Sequence, residues 1–233
     1  MAIGYNPFVA STGLVLYLDA GNIKSYPVSG TTWNDLSGNN NTATMYGLVP
    51  FTTDTTQCFD FATATGAASA SSSLGFTFGS NMIQQTGDFT LSCWIKNPNT
   101  SAGQVGLFSN AGSADGYRFG VGLNGIYFLI GPTYTEGGIS FSSSLSSSLW
   151  YNVVAVYSRT TASVLLYLNG VFQNSASIPA SQTAFSNATP GIVRSPCCGI
   201  YTGKLAIFSA YNTGLSASSI AQNFNALRGR FGI

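Results

Sequence analysis

Few side chains in this sequence could perform acid–base chemistry. The 233 residues include seven carboxylates and no histidine, and Glu136 is the only glutamate. Glycoside hydrolysis usually needs two carboxylates at a set separation across the sugar, yet no two carboxylates lie two residues apart, on one face of a strand. Glu136 stands in a Thr-Glu-Gly-Gly run that is typical of a turn, where a solvated carboxylate is expected. The carboxylates therefore favour a protein that is not an enzyme.

The sequence also lacks the motifs for a catalytic nucleophile or a bound cofactor. A serine triad needs a base, and the sequence has neither a histidine nor a Gly-x-Ser-x-Gly elbow before a helix. The glycines of Gly120-Val-Gly-Leu-Asn-Gly125 match the spacing of dinucleotide sites. Such a site needs a helix N-terminus after the glycines to hold the pyrophosphate, whereas a strand-like run follows here. We expect no catalytic residue and no cofactor.

The four cysteines do not suggest a metal site. Cys58 and Cys93 lie in apolar, strand-like segments, so buried free thiols are the favoured interpretation and a disulfide is the alternative. Adjacent Cys197 and Cys198 cannot supply the Cys-x-x-Cys spacing of zinc sites, and histidine ligands are lacking. We therefore expect no metal.

The charge content excludes two classes of partner. Only 6% of the residues are charged and the net charge is +1, against about 25% charged residues in typical soluble domains. Such a chain cannot build a basic patch for nucleic acid or an anionic membrane. No run reaches the ~20 apolar residues of a membrane span, and the first residues lack the pattern of a signal peptide. A surface of Ser, Thr, Asn, Gln and Gly fits a protein inside an assembly or one with a hydroxyl-rich coat.

Aromatic residues make up 13% of the chain and could include a platform for sugars. Most of them fall in strand-like runs, where core packing is the expected role. Trp33 and Tyr134 stand in loop-like segments and are the best candidates for exposure, although local packing is favoured for both. The sequence assigns no ligand-binding residue.

Short runs of apolar, β-branched and aromatic residues recur along the chain, bounded by Gly, Asn, Ser or Pro, and this predicts an all-β sandwich or barrel. Two Asn-Gly pairs, Asn124-Gly125 and Asn169-Gly170, predict type I′ hairpin turns. The clearest predicted strands are Leu14–Leu18, Phe89–Ile95, Tyr117–Val121, Ile126–Ile130, Tyr151–Tyr157 and Val164–Leu168.

One helix is predicted near the end of the chain. Ser216 is a suitable N-cap, and apolar residues then recur at helical spacing. Arg228 in the last turn and Gly229 as the residue after it give a helix over about 216–228. With no linker and no internal repeat, residues 1–233 are expected to form a single domain.

Four segments taken together resemble the laminin-G-like, concanavalin A-like family, and they occur in the order that the family shows. The segments are Gly13–Asn39, which contains Leu-Tyr-Leu-Asp-Ala-Gly and Trp-Asn-Asp-Leu-Ser-Gly-Asn; Phe89–Lys96; Trp150–Val171; and Gly203–Phe231. The resemblance implies a jelly roll of two antiparallel sheets with one short C-terminal helix. The opening and the Arg-Gly-Arg-Phe ending are most similar to stand-alone versions in virion proteins of tailed phages.

Two departures from the family pattern bear on chemistry. Members that hold a structural calcium carry an Asp in the late strand after a Gly-Lys pair, and Ala206 occupies that position here. The hydrolase branch carries a Glu-x-Asp-x-x-Glu strand, which this sequence lacks. The resemblance therefore implies neither calcium at position 206 nor hydrolase activity.

Three functional hypotheses follow. The first is a non-enzymatic structural virion protein, a capsid decoration or tail-accessory subunit, made in the host cytoplasm and acting through other virion proteins and symmetric copies of itself. The alternative is a carbohydrate-binding module for host-surface glycans, in which Trp33 or Tyr134 would be exposed beside Asn side chains. A hydrolase is the least favoured. Neither nucleic acid nor a membrane is expected as a partner.

Overall fold

The structure is a computed structural model. It describes residues 8–53, 56–64, 74–83, 86–96, 105–110, 116–122, 125–130, 137–141, 145–178, 190–193 and 201–233. Within these ranges the chain forms two antiparallel eight-stranded sheets and one helix. The all-β sandwich predicted from the sequence is therefore confirmed.

The first sheet contains the longest strands of the molecule. Its order begins at one edge with β14 (Val171–Ser177), β13 (Ser163–Leu168), β12 (Trp150–Ser158) and β7 (Phe89–Lys96), and continues with β16 (Lys204–Tyr211), β5 (Cys58–Asp60) and β4 (Phe51–Thr52). Strand β1 (Leu14–Asp19) also pairs with β16. Strand β16 is the last strand of the described chain, and it joins β1, β5 and β7.

The second sheet is built from shorter strands. Its order is β11 (Gly137–Phe141), β10 (Gly125–Ile130), β9 (Tyr117–Gly122), β8 (Val105–Ser109), β15 (Gly191–Ile192), β6 (Gly75–Phe78), β3 (Ala43–Tyr46) and β2 (Thr32–Trp33). Both sheets bury one face against the other, and the shared core is rich in aromatic rings. Trp33, for example, lies 4.8 Å from Phe59 and 5.0 Å from Phe76 between ring centroids.

All six of the clearest predicted strands are present, with ends that agree to within one residue. The hairpin predicted at Asn169-Gly170 is also confirmed. Both residues have positive φ angles, 50° and 77°, as a type I′ turn requires, and Asn169 Oδ1 accepts a hydrogen bond from the backbone N–H of Asn152 (2.9 Å). At the other predicted hairpin, Gly125 pairs with Gly122, while Asn124 lies outside the described residues.

Helix α1 (Ala217–Phe231) covers the outer face of the first sheet. Its predicted start is confirmed, because Ser216 Oγ accepts a hydrogen bond from the N–H of Ser219 (3.2 Å). Its predicted end is wrong: Gly229 is helical, and the left-handed residue that terminates the helix is Gly232, with φ 72°. The helix continues because Phe231 packs against the sheet. No helix in the described part of the chain has the length and hydrophobicity needed to cross a bilayer.

Candidate ligand-binding site

A cleft of about 310 Å³ opens where helix α1 ends on the first sheet. This volume is at the lower end of the ~300–1,000 Å³ range of small-molecule sites. The end of β7, the start of β12 and the last turn of α1 form its walls. The lining residues are Thr56, Lys96, Ser148, Leu149, Trp150, Gly229, Arg230, Phe231, Gly232 and Ile233.

A row of four side chains crosses the sheet at this cleft. Trp150 is the register partner of Lys96, Lys96 is that of Lys204, and Lys204 is that of Asp60. Directly paired residues project from the same face, with Cβ atoms about 4.5–5.5 Å apart. An indole, two ammonium groups and a carboxylate are thus aligned over four strands. Lys204 Nζ lies 3.4 Å from Asp60 Oδ2, whereas Lys96 has no ion-pair partner among the described residues.

Stacked aromatic rings form the apolar wall of the cleft. Phe231 lies nearly parallel to Trp94, with ring centroids 4.0 Å apart and an interplanar angle of 10°. Trp150 meets the same phenyl ring at 5.0 Å and 55°. Beside these rings, Leu149 is half exposed. The wall therefore combines a rigid, buried support with an apolar side chain that a ligand can reach.

An ion pair fixes the helix end at the cleft. The Arg230 guanidinium donates a hydrogen bond to Asp19 Oδ1 and another to the carbonyl oxygen of Gln57 (3.1 Å). Gly21 makes room for it, because a Cβ atom at this position would lie 2.2 Å from Arg230 Nη2. This contact therefore joins the two ends of the described chain: Asp19 and Gly21 come from the Leu-Tyr-Leu-Asp-Ala-Gly segment, and Arg230 comes from the Arg-Gly-Arg-Phe ending.

The Trp-Asn-Asp-Leu-Ser-Gly-Asn segment has a structural role. Asp35 Oδ1 accepts hydrogen bonds from the N–H groups of Tyr17 (2.9 Å) and Ser37 (2.8 Å). Its Oδ2 accepts from the Ser37 hydroxyl (2.8 Å) and the N–H of Asn41 (3.0 Å). With both oxygens engaged, this carboxylate ties the loop to β1.

A second cleft, of about 570 Å³, lies at the N-terminal end of helix α1. No charged side chain lines it among the described residues; it is lined by Phe8, Val9, Ala10, Ser11, Thr12, Thr213, Gly214, Leu215, Ser216, Ser219 and Gln222. We take the smaller cleft as the candidate site, because it brings a cation, hydroxyl groups and aromatic walls together.

Of the aromatic and acidic residues considered as candidates in the sequence analysis, only Trp33 lies among the described residues. Trp33 is fully buried, so its expected exposure in a binding module is wrong. The Asp35-bound loop holds the indole against the rings of the inner core, and the alternative of local packing is the one observed. Tyr134 and Glu136 lie outside the described residues.

The cysteine prediction is confirmed for the two residues that can be seen. Cys58 and Cys93 are buried and not joined in a disulfide, and burial raises the pKa of the Cys93 thiol well above its ordinary value. Cys197 and Cys198 lie outside the described residues. Ala206 is fully buried against the aromatic wall. Within the described ranges, no three His, Cys, Asp or Glu side chains come together to hold a metal.

Sequence reasoning did not identify Lys96, Leu149, Trp150 or Arg230 as site residues. Lys96 and Trp150 are far apart in the chain and become neighbours only through the pairing of β7 with β12. A usable signal was present: Lys96 is the last residue and Trp150 the first residue of a buried strand, on the face of the sheet that α1 covers. Finding the cleft would have required the register of these two strands.

The family comparison bears on the same architecture. A model described as the concanavalin A-like lectin/glucanases superfamily, Laminin_G_3, matches residues 66–221. The chain belongs to the concanavalin A-like lectin/glucanases superfamily. This membership agrees with the two antiparallel sheets and confirms the resemblance drawn from the four sequence segments.

Several solved structures that are similar to this superfamily member are binding domains of toxins. The binding domain of Paraclostridial Mosquitocidal Protein 1 superposes with a TM-score of 0.68 at 19% identity, over 92% of this chain and 52% of that one. Two structures of the botulinum neurotoxin DC binding domain are at 18% identity. The complex with rat synaptotagmin II has a TM-score of 0.69 over 92% of this chain and 52% of its own. The complex with SialylT has a TM-score of 0.70 over 93% and 52%.

This degree of identity establishes the shared fold alone. The chain spans about half the length of these neighbours, so what the whole toxin domains bind is not carried over to this chain. No curated protein sequence matches the chain.

Proposed function

We propose that this protein is a non-catalytic carbohydrate-binding module and that its glycan is bound in the cleft at the end of helix α1. The observation that carries the proposal is the composition of that cleft. Leu149 supplies exposed apolar surface over the buried indole of Trp150. Beside it lie the hydroxyl of Ser148 and the ammonium of Lys96, which has no ion-pair partner among the described residues. Sugar rings present apolar C–H faces and hydroxyl edges, so a pocket that recognises them needs both kinds of surface.

The comparisons support a binding module more than a virion building block. The superfamily includes lectins, and the similar structures are binding domains, one of them in complex with SialylT. The virion location and the symmetric assembly stay predictions that rest on the sequence. The two hypotheses are compatible, because a carbohydrate-binding module on a phage particle would attach the particle to host-surface glycans.

The described carboxylates support a non-catalytic role. Each of the four is engaged in holding the fold: Asp19 with Arg230, Asp35 with its loop, Asp60 with Lys204, and Asp88 with the N–H of Arg159 (2.7 Å). A glycosidase needs two carboxyl groups directed at the scissile bond. The remaining three carboxylates, Asp54, Asp115 and Glu136, lie outside the described residues.

A glycan array with matched variants tests the proposal. We compare the wild type with Leu149→Ser at the cleft and with Val171→Ser on β14; both are exposed aliphatic side chains. Glycans that bind the wild type are expected to lose about threefold to tenfold in affinity with Leu149→Ser, which corresponds to roughly 0.7–1.4 kcal/mol, and to keep their affinity with Val171→Ser.

Two results would overturn the proposal. If no glycan binds the wild type, the protein is not a carbohydrate-binding module. If bound glycans are indifferent to Leu149→Ser, the binding site lies elsewhere. Release of reducing sugar from any bound glycan would show that the module is catalytic.

A further inference from the structure

We infer that the cleft prefers sugars that carry a carboxylate and that the ammonium group of Lys96 is what recognises it. This inference rests on the proposed function, because it names the class of glycan that the same cleft would take.

The first step is the charge balance around the cleft. Among the described residues, three cations lie at its rim or in the adjacent strand, and two of them are paired with carboxylates: Lys204 with Asp60 and Arg230 with Asp19. Lys96 alone has no anionic partner among the described residues. Of these three side chains, Lys96 is the one whose positive charge is not balanced by a described carboxylate.

The second step is the energetic cost of holding the Lys96 ammonium next to a second ammonium group. Lys96 and Lys204 are direct register partners on β7 and β16, and like charges in that position destabilise a sheet. The chain has only eight basic residues. Lys96 and Lys204 lie side by side, and the described carboxylate next to them, Asp60, pairs with Lys204. The ammonium group of Lys96 is therefore available to an external anion.

The third step is the polarity of the helix end. The last carbonyl groups of a helix lack intrahelical partners and carry a partial negative charge. The end of α1 and the two residues after it, Gly229–Ile233, form one wall of the cleft, so this wall accepts hydrogen bonds from sugar hydroxyls and repels a carboxylate. The opposite side, where Lys96 stands beside Trp150, attracts one.

These two sides fix the orientation of the ligand. The carboxylate lies at Lys96, the ring packs against Leu149 and the edge of Trp150, and the hydroxyls face the helix end. A charge-assisted hydrogen bond is about twice as strong as a neutral one, so an acidic sugar should bind at least about tenfold more tightly than its neutral counterpart.

Titration calorimetry with matched ligand pairs tests the inference. The probes are 3′-sialyllactose against lactose, and a glucuronate-terminated against a glucose-terminated oligosaccharide. The variants are Lys96→Gln and, as the matched control on the neighbouring strand, Lys204→Gln; thermal unfolding verifies that both are folded. We expect the wild type and Lys204→Gln to prefer the acidic member of a pair and Lys96→Gln to bind both members equally.

The failures are distinguishable. If the wild type binds no sugar of either kind, the proposed function fails together with the inference. If it binds both members of each pair equally, or if Lys96→Gln keeps the preference, the module binds glycans but Lys96 does not select acidic ones. Loss of the preference in Lys204→Gln alone would also overturn the assignment to Lys96.

Discussion

At the residue scale, one ion pair holds together parts of the chain that are 211 positions apart. Asp19 ends β1, and Arg230 lies in the last turn of helix α1. Both side chains are less than one-third exposed, so solvent screens the pair only in part. Gly21 belongs to the same contact, since any side chain there would displace the guanidinium. The contact sets where the helix end lies and thereby shapes the cleft.

A double-mutant cycle measures this contact. We expect Arg230→Met to lower the free energy of unfolding by about 1.5–3 kcal/mol, the range for hydrogen bonds to charged groups. Gly21→Ala should lower it by about 1–3 kcal/mol through overpacking. Because both changes remove the same ion pair, the double variant should cost at least about 0.5 kcal/mol less than the two single costs combined. Urea denaturation gives all four values.

The control for this cycle is Arg228→Met. Arg228 is exposed, lies in the same part of the helix and forms no ion pair with a described residue. We expect its replacement to change stability by less than about 0.5 kcal/mol. Strictly additive costs of Gly21→Ala and Arg230→Met would mean that Gly21 does not act through Arg230.

At the scale of elements, helix α1 is longer than its sequence indicates. Its capping signals suggest an end at Gly229, yet the residues after this glycine stay helical because Phe231 stacks on Trp94. Tertiary packing thus outweighs the low helix propensity of glycine, which costs about 1 kcal/mol relative to Ala. Gly232, rather than Gly229, adopts the left-handed conformation that terminates the helix.

Two glycine substitutions separate these alternatives. Gly229→Ala should stabilise the protein by about 0.5–1 kcal/mol, because the position is helical and no atom lies within 4 Å of an added Cβ. Gly232→Ala should destabilise it by about 1–2 kcal/mol, since its φ of 72° disfavours a side chain. Thermal unfolding with a two-state fit measures both. The opposite pair of signs would place the end of the helix at Gly229, as the sequence suggests.

The sequence correctly predicts features that depend on residues close together in the chain. The Asn169-Gly170 turn and the Ser216 cap depend on residues a few positions apart, and both are found. The burial of Trp33 and the cleft at Lys96 depend on contacts between segments distant in sequence. Such contacts require strand order and register, which a single sequence with weak local signals does not supply.

At the scale of the whole molecule, the interior is aromatic and holds ionisable groups in their neutral forms. Burial raises the pKa of the Cys93 thiol well above 9.0 and that of the Tyr117 and Tyr201 hydroxyls well above 10.0. Neighbouring Cys93, Cys58 and Asp60 add to the effect at Tyr201. In the unfolded chain these groups ionise near their ordinary values. The folded protein therefore binds more protons than the unfolded chain at alkaline pH.

The sign of this linkage predicts alkaline destabilisation. The stability is intact below pH 9, declines as the Cys93 thiol of the unfolded chain ionises, and declines more steeply above pH 10 as the two tyrosines follow. Each group contributes a slope of up to about 1.4 kcal/mol per pH unit. Urea midpoints from pH 7 to 11 measure the decline.

Cys93→Ala supplies the control for the pH series. It should reduce the slope between pH 9 and 10 and leave the steeper decline above pH 10 in place, because burial, the main cause of the raised pKa, persists at Tyr117 and Tyr201. A wild-type profile that is flat to pH 11 would contradict the assignment of buried, neutral groups.

The position of β16 in the first sheet has a consequence for biosynthesis. Its partner β1 leaves the ribosome roughly 190 residues earlier, which at about 5–20 residues per second is a wait of roughly 10–40 s. Until Lys204–Tyr211 and the helix after it emerge, β1 and β7 lack their neighbour and Trp94 lacks its cover. A nascent chain of this kind exposes apolar strand edges throughout translation, so premature termination before residue 204 should yield aggregates rather than a smaller folded domain.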